Sequence, residues 1–312
     1  MRNIMISDSN IEKLHEVYLP FSKTVIKEHF MQSPDKHLQY FTDSICRYRK
    51  FEENSFSEND KKKNDRVRQI EKDEKFWTLS TLLTLFYSEN SKEEIEEMLK
   101  KAYGKKPPLS DINDWSECLD GELKLYFEPN LPSPERYLKY MENEIEKVNL
   151  IPYVLEKAKK NGKYRTNLEG PTNVDAIIIN PSNGFSVIIE AKALSDISCQ
   201  TTNNVVRNQI IRNIDIMLEK NDKLEFPLNK RNPDNSLFLL LTPKIFKDKP
   251  QTRFYGYKFY DYKNNPSSML EELAHRELDE KDLCQLSKRL GWTTWEELKY
   301  INSNCCKWLD ND

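Results

Sequence analysis

The sequence predicts an α/β (α+β) chain: a central sheet with both faces covered, flanked by helices and extended by helical additions at both ends. Three observations carry this expectation. Two aliphatic runs, "VDAIIIN" (174–180) and "FSVIIEAK" (185–192), flank the turn material "PSNG" and read as a hairpin. A further aliphatic run, "SLFLLLTP" (236–243), reads as a buried strand. Between them "NNVVRNQIIRNIDIMLEKN" (203–221) sets Val206, Ile210, Ile214, Met217 and Leu218 on one side of a helix. Both hairpin strands are apolar on both faces, so something must cover each side of the sheet.

The remaining elements follow in chain order. Residues 1–106 read as a helical region, in which the charged run "EENSFSENDKKKNDRVRQIEKDEK" is a solvated segment or, alternatively, a DNA-facing one through Lys61, Lys62, Lys63, Arg66 and Arg68. Residues 107–133 are proline-rich and read as a connector. Ser133-Pro134-Glu135 looks like a helix start with Ser133 as N-cap, and Tyr137, Leu138, Met141, Ile145 and Val148 give that helix one apolar face. The core expected from this pattern runs over 134–262, with "RFYGYKFYDY" (253–262) alternating like one more strand. Residues 263–312 read as a helical extension, including two short helices about Gly291. Trp292, Trp295 and Leu298 suggest packing there rather than a DNA-reading second helix.

Composition narrows the function. The 312 residues carry a net charge of −3, so charge alone does not announce a nucleic-acid partner. Only seven glycines are present, with no GxGxxG and no GxxxxGK[ST], which argues against dinucleotide and P-loop sites. Four histidines without HxxH or HExxH leave little material for a zinc hydrolase. Six scattered cysteines without CxxC, no signal peptide and no long apolar stretch lead to the expectation of a soluble cytoplasmic protein with reduced thiols and no membrane contact.

The hairpin itself carries the chemistry. If "PSNG" is a four-residue loop, residue 179 pairs with 186, 177 with 188, and Asp175 with Glu190. Directly opposed residues have Cβ atoms about 4.5–5.5 Å apart on one face. Lys192 shares the parity of Glu190 and projects from that face. Two carboxylates this close repel one another unless a cation lies between them. An all-oxygen set suits a hard ion, Mg²⁺ with Mn²⁺ able to substitute, and the Ala191 carbonyl is a candidate additional ligand. A lysine beside such an ion can orient water and stabilise charge on a phosphate. The alternative is a strand end that happens to be charged.

Asp175, a hairpin and then Glu190-Ala191-Lys192 resembles the signature of the PD-(D/E)XK nuclease superfamily, which includes most type II restriction endonucleases. Val174 stands where the nominal motif has proline. The resemblance covers about 134–262. It implies a restriction-endonuclease-like mixed sheet flanked by helices, Asp175 and Glu190 as Mg²⁺ ligands, Lys192 as catalytic base or water-orienting group, and double-stranded DNA as substrate. Family members often add an acidic residue from the helix before the hairpin. Glu144, Glu142 and Glu169 are candidates, and each also reads as an ordinary exposed carboxylate. Some branches place a glutamine on the following helix, which makes Gln209 a possible accessory residue.

Arg207, Arg212, Lys244, Lys247, Lys249 and Arg253 are candidate DNA contacts, with an exposed or solvated basic surface as the alternative. Asp196 reads as a cap or turn residue. The expectation is a Mg²⁺-dependent DNA endonuclease of the restriction type, acting as a homodimer. A repair, recombination or transposition nuclease of the same superfamily is one alternative, and an inactive DNA-binding protein with a nuclease-like core is the other.

Overall fold

The computed structural model describes residues 13–52 and 68–310, with side chains described over 13–47 and 70–310. Lys61, Lys62, Lys63, Arg66 and the Arg68 side chain lie outside these.

The N-terminal region holds a small hairpin, β1 (Lys13–His15) and β2 (Leu19–Ser22), followed by α1 (Lys23–Glu28), α2 (Pro34–Glu52), α3 (Glu74–Phe86) and α4 (Ser91–Tyr103). Next come α5 (Trp115–Leu119), β3 (Lys124–Phe127) and β4 (Asn130–Leu131). Between β3 and the central hairpin lie α6 (Glu135–Val148), α7 (Pro152–Ala158), β5 (Lys159–Lys160), β6 (Lys163–Tyr164) and β7 (Thr172–Asn173). The hairpin is β8 (Ala176–Ile179) and β9 (Ser186–Ala191). It is followed by α8 (Gln209–Met217), β10 (Ser236–Thr242), α9 (Lys244–Asp248) and α10 (Phe254–Asn264). The chain closes with α11 (Glu280–Lys288), β11 (Leu290–Thr294) and α12 (Trp295–Ile301).

The central sheet is five-stranded and mixed, in the order β11-β10-β9-β8-β3. The pairs β3–β8 and β8–β9 are antiparallel, whereas β9–β10 and β10–β11 are parallel. Its three middle strands, β8, β9 and β10, are buried on both faces, as their unbroken aliphatic runs require. Alternate residues feed two separate cores. Ile178, Val187, Ile189, Leu239 and Leu241 join one with α3 and α4, and Ile177, Ile188, Phe238 and Leu240 join the other with α8 and α10. Each fully buried aliphatic side chain is worth about 1.5–3 kcal/mol of transfer free energy, so this double covering is the main support of the sheet. A third, smaller core lies under α6 and α7. Among the described residues no helix is long and apolar enough to cross a membrane.

Four local expectations are corrected. Residues 253–262 form helix rather than strand, because Tyr255, Phe259 and Tyr262 are buried at helical spacing and Asp196 accepts from the Phe254 and Tyr255 amides (2.7 and 3.1 Å), capping the helix start. Gly291 is not a turn between helices but the second residue of β11, where a Cβ would lie 2.3 Å from the Tyr103 ring. The helix expected over 203–221 starts only at Gln209, since Asn208 Oδ1 accepts from the Ile211 amide at 3.1 Å and ends it there. Ser133 does not cap α6, because its hydroxyl donates to Glu169 Oε1 and the Gly170 carbonyl, both at 2.9 Å. The sheet also extends past 134–262, for β3 comes from the proline-rich segment and β11 from the C-terminal one.

Candidate active site

The turn "PSNG" fixes the geometry. Asn180 N–H donates to the Phe185 carbonyl (2.8 Å), and Gly184 N–H to the Asn180 carbonyl (2.9 Å). The Asn180 side chain is itself held, donating to the Cys118 and Asp120 carbonyls at 2.9 and 2.6 Å. Gly184 has φ +74°, and a Cβ there would meet Asn232 Cβ at 2.9 Å, so the turn needs glycine. The resulting register pairs Ile179 with Ser186, Ile177 with Ile188 and Ala176 with Ile189. One step further, Asp175 faces Glu190, as the sequence spacing predicts.

Four side chains converge where β9 ends. Asp175 Oδ2 accepts from the Ala191 amide at 2.8 Å, while Oδ1 has no hydrogen-bond partner among the described residues. Glu190 is fully buried. The Lys192 ammonium donates to Glu190 Oε1 (2.5 Å), to the Ala191 carbonyl (3.2 Å) and to Glu74 Oε1 (3.3 Å). Glu74 is the second acidic residue in a row after Asp73, and it sits in the first turn of α3. Asp73 caps that helix at the Phe76 amide (3.2 Å), leaving Glu74 free to reach across. Its other oxygen accepts from the Ala193 amide (2.9 Å) and the Ser195 hydroxyl (2.5 Å).

Helix α8 presses polar groups on the same cluster. Gln209 Nε2 donates to Glu190 Oε1 and Asn213 Nδ2 to Glu190 Oε2, both at 2.6 Å. Asn213 is fully buried, and its Oδ1 has no partner among the described residues. Desolvation, followed by the charge of Glu190, pushes the Asp175 carboxyl well above the usual range. Burial also raises Glu190, partly offset by Lys192 and by Asn213. Desolvation opposes the Lys192 charge, but Glu190, Asp175 and Glu74 outweigh it and hold the amine above its ordinary value. Lys192 therefore stands in this arrangement as an ammonium.

The other candidates separate cleanly. Gln209 reaches the site. Glu144 does not join it, pairing instead with Lys147 on α6 (2.5 Å), and the acidic contribution from a preceding helix comes from Glu74. Glu169 belongs to a different cluster. Arg207 is fully buried, bonded to Glu169 (3.2 Å) and Asp215 (2.7 Å) and stacked 3.7 Å over the Tyr137 ring, so it is an internal brace with no surface to offer DNA. Arg212 donates to the Gly170 and Pro171 carbonyls and lines a cleft of about 630 Å³ beside Gln209.

Among the basic residues after β10, Lys244 pairs with Asp248 (2.6 Å) and Lys247 with Glu297 (3.2 Å). The Arg253 guanidinium lies 4.1 Å over the Phe246 ring. Glu74 and Asn213 were not singled out in the sequence. Glu74 lies inside a charged run without periodicity, and its approach depends on how α3 packs. Asn213, however, follows Gln209 at i+4 on one helix, a spacing that puts both amides on one face.

Among the described residues no group of three or more His, Cys, Asp or Glu side chains is arranged to hold a metal ion. The oxygens that meet at this point are nonetheless those a hard cation takes: two carboxylates and a peptide carbonyl, gathered around the Lys192 ammonium, with the open Oδ1 of Asp175 alongside. A cation already occupies their meeting point, and it is the lysine itself. In donor type the residues fit Mg²⁺. Comparison with protein-family models, with curated proteins and with solved structures finds no match to this chain.

Proposed function

We propose that the chain is a Mg²⁺-dependent endonuclease that hydrolyses phosphodiester bonds in double-stranded DNA, with a restriction-endonuclease-like core. The observation that carries this reading is the convergence of Asp175, Glu190 and Lys192 at the open end of the hairpin, in the register that the PD-(D/E)XK resemblance requires. The mixed sheet flanked by helices is the architecture the resemblance implies.

Asp175, Glu190 and the Ala191 carbonyl are the groups that would hold the ion, with Glu74 as a third carboxylate. The ion would supply Lewis-acid activation of water and charge stabilisation at the scissile phosphate. The protein's part is positioning. Gln209 and Asn213 bind both oxygens of Glu190 and fix its plane, and the Ala191 amide fixes Asp175. Lys192, held as an ammonium, donates hydrogen bonds and so orients the attacking water or steadies the developing phosphate charge. Proton acceptance is the less suitable of the two roles expected for it.

All three signature residues being present favours an active enzyme over an inactive DNA-binding relative. Restriction over repair or transposition rests on the additional helical material about the core, and cutting both strands would engage a homodimer. The test is cleavage of supercoiled plasmid in Mg²⁺ by the native chain and by Asp175→Ala and Lys192→Ala. Native cutting to defined fragments with loss in both variants supports the reading. No native cutting, or cutting that survives both substitutions, overturns it, and a smear instead of fragments removes sequence specificity.

A further inference from the structure

The insertion between β3 and β8 carries a second feature of the molecule. Residues Lys157–Arg165, "KAKKNGKYR", hold five cations and no acid in a chain of net charge −3. They form the end of α7 and the hairpin β5–β6, closed by Asn161 and Gly162 at φ +55° and +76°. Two successive positive φ values make the tight hairpin turn for which Asn-Gly is the preferred pair, so the cations are presented on a defined ribbon. The Arg165 amide donates to the Ala158 carbonyl (3.0 Å) and continues the pairing beyond the two-residue strands.

The cations divide into anchored and free. Lys157 lies over the Tyr153 ring at 5.5 Å. Lys159 lies over Tyr164 at 4.7 Å and is 3.7 Å from Glu146. Lys160, Lys163 and Arg165 are exposed and make no ion pair among the described residues. The basic side chains after β10 differ, since Lys244 and Lys247 already face carboxylates.

The ribbon also adjoins the candidate site. Leu168 packs in the small core with Ala158 and Tyr164 beneath the hairpin and at the same time lines the 630 Å³ cleft. Gln209, on the cleft's other side, touches Glu190 at 2.6 Å. From Arg165 to Asp175 the chain advances ten residues, at most about 33–36 Å. One turn of duplex is about 34–36 Å long. Arg165, at the ribbon's end, is thus within about one turn of a phosphate held at Asp175, with Lys163 and its strand partner Lys160 following along the ribbon.

We infer that the hairpin Lys159–Tyr164 with Arg165 is a phosphate-backbone grip for duplex DNA, leading it along the cleft to the carboxylates. This rests on the nuclease reading of the site, but its test does not require cleavage. Binding of a labelled 30-base-pair duplex is measured by fluorescence anisotropy in EDTA over a range of salt concentrations. The native chain is compared with Lys160→Glu/Lys163→Glu/Arg165→Glu, and with the control Lys281→Glu/Lys288→Glu on α11, where Asp282 and Gln285 line a different cleft with Asn235 just before β10.

The expected result is a loss of about 10- to 100-fold in the triple variant and a fall of about 2–3 in the slope of log K against log salt, with the control unchanged. Unchanged binding in the triple variant, an equal loss in the control, failure of the native chain to bind duplex, or tighter hairpin-dependent binding of the single strand would each overturn the inference. All five changes lie at exposed positions, so thermal melting verifies that the variants are folded. Hairpin-dependent binding without any Mg²⁺-dependent cutting would instead remove the hydrolytic reading and leave the grip in place.

Discussion

Replacing Asp175 by asparagine separates a carboxylate held for chemistry from one that merely supports the fold. Asparagine is nearly isosteric, and its amide oxygen can still accept from the Ala191 amide, the 2.8 Å bond Asp175 makes. What disappears is a negative charge facing Glu190. With charges about 6 Å apart and an effective dielectric near 20, that repulsion is about 3 kcal/mol. Lys192 and the partial exposure of Asp175 reduce the net gain to about 1 kcal/mol in favour of the variant.

For 312 residues this corresponds to a rise in Tm of about 1–2 °C. The pH dependence has a definite sign. Asp175 titrates higher folded than unfolded, so the native chain binds its proton more tightly and loses stability as pH rises through the raised value. The advantage of Asp175→Asn is therefore present at pH 8 and shrinks toward pH 4, where the aspartate is protonated in the folded chain and about half protonated in the unfolded one. Differential scanning calorimetry at the two pH values, beside a cleavage assay, measures this. A variant that is less stable than the native chain by the same amount at both pH values would refute the reasoning, because Asp175 would then be acting only as a structural partner of Ala191.

The remaining predictions concern neighbouring contacts. Glu74→Gln is expected to lower Mg²⁺-dependent cleavage about 10-fold or more while costing about 1 kcal/mol through weakened bonds to Ala193 and Ser195, read by single-turnover kinetics and melting. Gln209→Ala removes one of the two side-chain donors to Glu190 Oε1, leaving Lys192, and should reduce the cleavage rate with little change in Tm, since Gln209 is only half-buried. Arg207→Ala leaves Asp215 and Glu169 buried without this partner and should cost about 3–5 kcal/mol in urea melts. Gly291→Ala drives a methyl group into the Tyr103 ring and should cost about 1–3 kcal/mol, recovered in part by Tyr103→Leu.

What the sequence discloses here is local. The aliphatic runs and "PSNG" define a hairpin whose register brings Asp175 opposite Glu190, because both the period-2 pattern and the turn length are written in adjacent residues. Gln209 is found only through the resemblance, which implies a glutamine on the helix after the lysine strand. Non-local contacts are what remain hidden. Residues 253–262 alternate aromatics densely enough to mimic a strand, and the cap that makes them helical comes from Asp196, almost sixty residues earlier. The strand β11 is five residues long, and its glycine signals the ring of Tyr103 rather than a turn. Glu74 reaches Lys192 from 118 residues away, through a packing of α3 that no spacing encodes. Arg207 looks like a surface cation on a helix and is instead enclosed by Glu169, Asp215 and Tyr137.

The central claim is that Asp175 and Glu190 hold a divalent cation for phosphodiester hydrolysis. Its most direct measurement is the cleavage rate of supercoiled plasmid across a Mg²⁺ titration, for the native chain and for Glu190→Gln. The expected result is no cutting in EDTA, a saturable rise with Mg²⁺ for the native chain, recovery with Mn²⁺, and a loss of at least about a thousandfold in the variant. Cutting by the native chain that persists in EDTA, or a Glu190→Gln variant that follows the native titration curve, would contradict it.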